Sequence, residues 1–289
     1  MIPISDAHAH VSPKGIGAKK LAMKFKEVGG WFIVLVSLPP YHYGLSESYN
    51  DLIKSFRIHL SQCDIVRKEG VKVACILGIH PAFIDRLVKN YQNRKEDLLK
   101  YLDAALNELE VMLRAGLING LGEFGRPHYR TIPESFSLND YVLLRVLELS
   151  RDYNIPVHLH LEDSGIWSVI SIAGISSLIK GIIRRKIIFH HASVSTCLNA
   201  LGREFSSTVL GRKAVIENLI KHLDNKELLS YVGVESDYID DPRRPGVVMY
   251  PWEIAREISE LLKLRPEVED HVLRMLIDHV VKQYGANPP

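Results

Sequence analysis

Eight short runs of β-branched and apolar residues, separated by longer stretches of helical period, recur from one end of this 289-residue chain to the other. That alternation constrains the fold most, because strands joined through helices must lie parallel in one sheet. The runs predict strands at Ile2–His8, Trp31–Leu38, Val71–Ile79, Leu117–Phe124, Ile155–Leu161, Lys186–His191, Phe205–Leu210 and Leu228–Glu235. Phe32-Ile33-Val34-Leu35-Val36 is apolar without a break, as a strand covered on both faces should be. The segments between predict helices over Ser46–Lys68, Pro81–Arg114, Pro133–Tyr153, Arg212–His222, Pro251–Leu264 and Pro266–Tyr284, several opening on proline or serine. Ile166 to Ile179 reads as a buried helix, too short and too rich in serine to span a bilayer. Eight strands match a (β/α)8 TIM barrel, expected here as one domain over residues 1–289. No Gly-x-Gly-x-x-Gly follows an early strand, so an open doubly wound sheet lacks support.

Composition narrows the function classes. A net charge of +2 gives no field that by itself indicates nucleic acid, so a polyanionic substrate would have to be drawn by local basic residues and bound cations. The three cysteines, Cys63, Cys75 and Cys197, form no Cys-x-x-Cys pair. They are expected to be unlinked, small buried residues in a reducing compartment. The N-terminal MIPISDAHAH lacks a basic segment followed by an apolar one, so no signal peptide is expected, and a cytoplasmic protein with no membrane partner is expected.

The chemistry-bearing residues sit where the expected strands end. Asp6-Ala7-His8-Ala9-His10 places two histidines two apart, on one face of a strand. Gly120-Leu121-Gly122-Glu123-Phe124-Gly125 delivers a carboxylate between glycines that permit close backbone approach. His158-Leu159-His160, Phe189-His190-His191 and Glu235-Ser236-Asp237 end three further strands. Each group taken alone reads more readily as a packed or capping residue. Together they fall on the C-terminal rim of a parallel barrel, where such enzymes keep their active sites. Histidine and carboxylate donors without thiolate suit a divalent ion: zinc first, with manganese, magnesium, iron or nickel also compatible.

With Gly78-Ile79-His80-Pro81 added, these motifs resemble, in order and over nearly the whole chain, the TatD-related metal-dependent hydrolases of the amidohydrolase superfamily. The resemblance implies that His8, His10 and Asp237 bind one ion. His160 and a strand-six histidine would bind a second, with Glu123 bridging both. On strand six the nuclease pattern aligns with His190, while the archaeal-type pattern selects His191 and fits Lys186 to Thr196 without a gap, so His191 is preferred. His158 faces the same way as His160 but lies deeper, which suits packing or support. Two ions sharing a water would provide a bridging hydroxide at neutral pH. Asp237 would take its proton, with His80 as a second catalytic candidate and Asp6 and His80 as supports for the ligands.

Departures from the pattern bear on the substrate. After His160 the nuclease branch carries arginine and aspartate, but here Leu161-Glu162-Asp163 follows. After Glu123 the usual Gly-Leu-Asp-Tyr becomes Gly125-Arg126-Pro127-His128-Tyr129. Arg126 and His128 are candidates to supply positive charge, and Tyr41 in Pro39-Pro40-Tyr41-His42-Tyr43-Gly44 to stack on a base or sugar. A TatD-type phosphodiesterase or deoxyribonuclease is the leading expectation, acting on a nucleic acid or a small molecule. The alternatives are an amidohydrolase-type enzyme cleaving a C–N, ester or lactone bond, and a metal-binding protein without turnover.

Overall fold

Each of the eight expected runs contains a strand in the computed structural model, which describes residues 2–223 and 225–289. The strands are β1 (Ile4–Ala9), β2 (Gly30–Val36), β3 (Lys72–Leu77), β4 (Gly120–Gly125), β5 (Val157–His160), β6 (Ile187–Phe189), β7 (Ser206–Leu210) and β8 (Val232–Glu235). They pair in parallel in chain order. The ring closes where β8 runs on beside β1: Asp237 N donates to His8 O at 3.0 Å and His10 N to Tyr238 O at 2.7 Å. The helices are α1 (Gly17–Glu27), α2 (Tyr49–Lys68), α3 (Pro81–Asn90), α4 (Lys95–Arg114), α5 (Pro133–Tyr153), α6 (Ile166–Ser177), α7 (Val194–Leu201), α8 (Lys213–His222), α9 (Glu253–Leu264), α10 (Glu269–Leu273) and α11 (His279–Tyr284).

The unbroken apolar run of β2 serves two layers at once. Ile33 and Leu35 join the core under the helices, while Phe32, Val34 and Val36 cluster with Ala74 and Ile76 and with Val280 of α11. The second cluster also takes in Tyr284 and Ala286, so the C-terminal segment packs against the barrel's inner residues. Helix starts follow local chemistry: the Ser48 side chain accepts Asp51 N ahead of α2, and Pro81 and Pro133 begin α3 and α5.

Several expectations change. The predicted Pro81–Arg114 helix is two, α3 and α4, separated at residues 91–94; no proline or glycine marks that turn. The predicted Pro266–Tyr284 helix is interrupted by a π-helical turn at Arg274–Asp278. The helix at 166–177 exists but is buried on one face only: Val169 and Ile172 are buried, while Ile166, Trp167 and Ile170 are exposed. Helices α1 and α7 lie in segments where the sequence pattern predicts none.

The cysteine expectation is also corrected. Cys63 of α2 and Cys75 of β3 are joined by a disulfide, and Cys197 is free and buried. The two lie 12 residues apart on consecutive elements that pack together, and a Cα–Cα distance of 6.0 Å is within bridging range. A rule that looks for close Cys-x-x-Cys spacing cannot see such a pair. Denaturant unfolding of oxidised and fully reduced protein should differ by about 2–4 kcal/mol. Identical midpoints would show that the link contributes nothing. Among the described residues no helix is long and apolar enough to cross a membrane.

Candidate metal centre

Strand register brings the candidate ligands to one height. Leu159 pairs with Phe189, so His160 and His190 follow at the same level. Ala9 of β1 pairs with Leu35, which sets His10 beside the end of β2. Gly78, after β3, lies so close to the Gly122–Glu123 backbone that a Cβ there would collide with it; the glycine lets β4 carry Glu123 into the mouth.

The two carboxylate oxygens of Glu123 divide the histidines. Oε1 lies 2.9 Å from His8 Nε2, 3.0 Å from His10 Nε2 and 3.8 Å from His190 Nε2. Oε2 lies 3.0 Å from both His160 Nδ1 and His80 Nε2. His190 Nε2 is also 3.5 Å from Asp237 Oδ1. Two ligands each about 2.1 Å from a common ion stand roughly 3–3.4 Å apart, the spacing most of these atoms already have.

For His10 and His190 the opposite ring nitrogen fixes which nitrogen faces inward. His10 Nδ1 lies 2.9 Å from Val36 O and must donate to it, so a neutral ring keeps its lone pair on Nε2, towards Glu123. His190 Nδ1 lies 2.9 Å from Glu235 Oε2, which leaves Nε2 bare towards Glu123 and Asp237. His160 Nε2 meets His128 Nδ1 at 2.8 Å, and His8 Nδ1 meets His158 Nδ1 at 3.0 Å. His10 and His190 thus turn a lone pair towards the carboxylates, while His8 and His160 lean on other histidines, which can donate or accept and so do not by themselves set the tautomer. Glu123 Oε2 is buried and has no hydrogen-bond partner of acceptable geometry among the described residues. This donor set fits divalent cations. His80 differs: its Nδ1 accepts Ala82 N at 3.0 Å at the start of α3, so its proton sits on Nε2, and the neutral ring offers an N–H rather than a ligand lone pair.

Electrostatics describe an anionic hub: burial opposes it, but Glu123 and Asp237 raise the His10 imidazole above its ordinary value. Burial alone would raise the Glu123 carboxyl, but His80, His10, His160 and His8 outweigh it and hold it well below the usual carboxylate range. Burial pulls His8 down to about 4 against the opposing pull of Glu123, and holds His190 well below its ordinary value. Burial pushes Asp237 up to about 7, with His10 opposing. His191 and Asp237 both have positive φ, 43° and 48°, a conformation that non-glycine residues hold only where surroundings enforce it.

The cluster opens on a cavity of about 150 Å³, lined by His10, Leu38, Pro39, Tyr41, His42, His80, Glu123, His160, His190, Asp237 and Ile239. Ligand pockets usually run to about 300–1,000 Å³, so this one admits a reacting group but not the body of a large substrate. A larger apolar groove of about 610 Å³, lined by Val88, Tyr91, Leu98 and Ile132, includes none of these ligand candidates.

The expected site residues do not all converge. His8, His10, Glu123, His160, His80 and Asp237 do. Both strand-six histidines also reach the cluster: His190 Nε2 faces Glu123 and Asp237, while His191 Nε2 approaches His160 Nδ1 at 3.4 Å. Tyr41 lines the cavity. Arg126 does not; its guanidinium is taken up by Asp140 at 2.7 Å and Ser171 at 2.8 Å, which corrects the expectation of a free cation there. His128 is held on His160 instead of standing free for substrate. Asp6 accepts His8 N and Ser236 N, bracing the β1–β8 seam instead of a ligand ring. Glu235 and His42 were given no role by sequence; the period-two step from Glu235 to Asp237 was the available signal for the first.

A (β/α)8 barrel with histidines and carboxylates gathered at its strand ends is the arrangement of a metal-dependent hydrolase. Residues 5–285 match the profile of the TatD related DNase family, and the chain belongs to that family. An uncharacterized protein of Methanocaldococcus jannaschii is 26% identical over 287 residues, 99% of this chain and 97% of its own. The crystal structure of a TatD-like protein from Archaeoglobus fulgidus superposes with a TM-score of 0.58 at 19% identity, covering 91% of this chain and 94% of that one. The phosphotriesterase homology protein of Escherichia coli, crystallised with phosphate in its active site, gives 0.65 at 12% identity over 98% and 99%. At these identities the two structures speak for the fold.

Proposed function

We propose that this protein is a metal-dependent phosphodiesterase of the nuclease kind. The observation that carries the reading is the convergence of His8, His10, His160 and His190 on the two oxygens of Glu123, with Asp237 beside them. His8, His10 and Asp237 would hold one cation, His160 and His190 a second, and Glu123 both. His190 is assigned the strand-six role because Glu235 fixes its far nitrogen, the usual support for a ligating imidazole. His191 would stand beside His160. Bound divalent cations supply a water of lowered pKa and a Lewis acid for the scissile oxygen.

The chain's own residues do the rest. Asp237 lines the cavity and would accept the proton of the attacking water. His80 presents its Nε2–H to the same space and would donate to an oxygen that gains charge. Leu38, Pro39 and Ile239 give the cavity an apolar wall. Exposed Arg243 and Arg244 follow Ile239 on the same loop and both pair with Asp241, and Arg86, 4.6 Å over the Tyr41 ring, pairs with Glu47, so a phosphate chain would have to share these cations with carboxylates. The cavity's small size favours, as a second reading, a compact ester, lactone or amide.

The test is a panel of DNA, small phosphodiesters, lactones and N-acyl compounds assayed on metal-loaded protein. Phosphodiester cleavage should dominate and fall with rising salt for DNA. Turnover confined to lactones or N-acyl compounds would overturn the proposal in favour of the second reading.

A further inference from the structure

Behind His8 runs a hydrogen-bonded chain that the reaction scheme leaves without a task. His8 Nδ1 lies 3.0 Å from His158 Nδ1, and His158 Nε2 lies 2.5 Å from the Tyr284 hydroxyl. His8 and His158 are fully buried. His158 stands on β5 two residues below His160, and Tyr284 comes 126 residues later, at the end of α11. The chain therefore joins the metal centre to the C-terminal segment packed against the barrel interior.

Such a chain can be ordered in two ways. In one, Tyr284 O–H donates to His158 Nε2, His158 Nδ1–H to His8 Nδ1, and His8 Nε2–H to Glu123 Oε1. In the other, His8 Nδ1–H donates to His158 Nδ1 and His158 Nε2–H to the Tyr284 oxygen, which leaves the His8 Nε2 lone pair bare. Both orders contain the same protons, so neither ring changes its charge. Only the second lets His8 bind a cation, because a nitrogen that carries hydrogen has no lone pair to give. Ligating histidines ordinarily lean on a carboxylate or a carbonyl, which can only accept and so dictate the tautomer. His8 leans instead on a group that can donate or accept, and the direction is passed on to Tyr284.

We infer that His158 and Tyr284 are positioning residues that hold His8 in its metal-binding tautomer, so that affinity at the His8 ion depends on a hydroxyl remote from the reaction. The inference rests on the metal-hydrolase reading of the site. It is tested by titrating cobalt(II) into the metal-free full-length protein and following the visible absorption of the bound ion, with thermal melting as a control for folding. His158→Phe should weaken binding of one ion by about 10–100-fold. His158→Asn, whose side-chain oxygen can accept from His8, should recover most of that loss. Tyr284→Phe should lose part of the same affinity, and combined with His158→Phe should add little, since the two act through one chain. Unchanged affinity in His158→Phe overturns the inference, as does an asparagine variant no better than phenylalanine or strictly additive losses in the double variant. Failure of the underlying reading is distinct: His8→Ala would then bind cobalt as wild type does.

Discussion

Replacing Glu123 with alanine is expected to empty both cation positions, not one. Glu123 Oε1 is shared by His8 and His10, and Oε2 by His160 and His80, so one side chain faces both halves of the cluster. Losing an outer support of a ligand typically weakens metal binding about 10–100-fold, and losing the bridging ligand should exceed that at each position. The charge balance points the same way. Glu123 stays ionised despite its burial because the surrounding histidines favour the anion. Without it the cations would meet mostly neutral rings, and the mutual repulsion of two dications would have no anion between them. Elemental analysis of the purified variant after metal loading should find less than one ion per chain; two retained ions would refute the bridging role. The barrel should survive, since Glu123 lies at the mouth, outside both apolar clusters.

What the sequence could reveal followed from periodicity. Strands in a parallel barrel are buried on both faces and alternate with helices, and both signals are local, so all eight were legible. The two-residue repeat of a pleated strand also placed His8 with His10 and His158 with His160 correctly on shared faces. The same repeat loses force where a strand stops. β6 ends at Phe189, and His191 turns with φ of 43°, so both adjacent histidines face His160. Contacts between distant elements were beyond reach for a different reason: nothing local to Cys63 or Arg126 signals the partners that tertiary packing supplies. The tautomers were likewise unreadable, since the Ala82 N–H that fixes His80 and the Val36 carbonyl that fixes His10 are backbone groups available at any residue.

Substituting Asp237 with asparagine should separate metal binding from turnover. Its backbone N–H donates to His8 O across the barrel seam at 3.0 Å, a contact asparagine keeps. An amide oxygen can still reach a cation, but it cannot take a proton from the attacking water. General-base catalysis is typically worth about 10²–10⁴-fold, so kcat should fall by that order while at least one ion stays bound. The pH dependence of metal uptake offers a second readout. In the metal-free protein burial lifts Asp237 to about 7, against the pull of His10, so below that pH the carboxyl is protonated and a cation must displace a proton to bind. Wild-type affinity should therefore weaken as pH drops through about 7, and the asparagine variant should lack that contribution. Turnover near wild type would place proton transfer elsewhere. It could not fall to His80, whose Nδ1 lone pair is engaged by Ala82 N–H. Joint loss of metal and activity would make Asp237 a ligand before it is a base, and a cycle with His10→Ala, its neighbour on the same proposed cation, would then measure how far the two act as one unit.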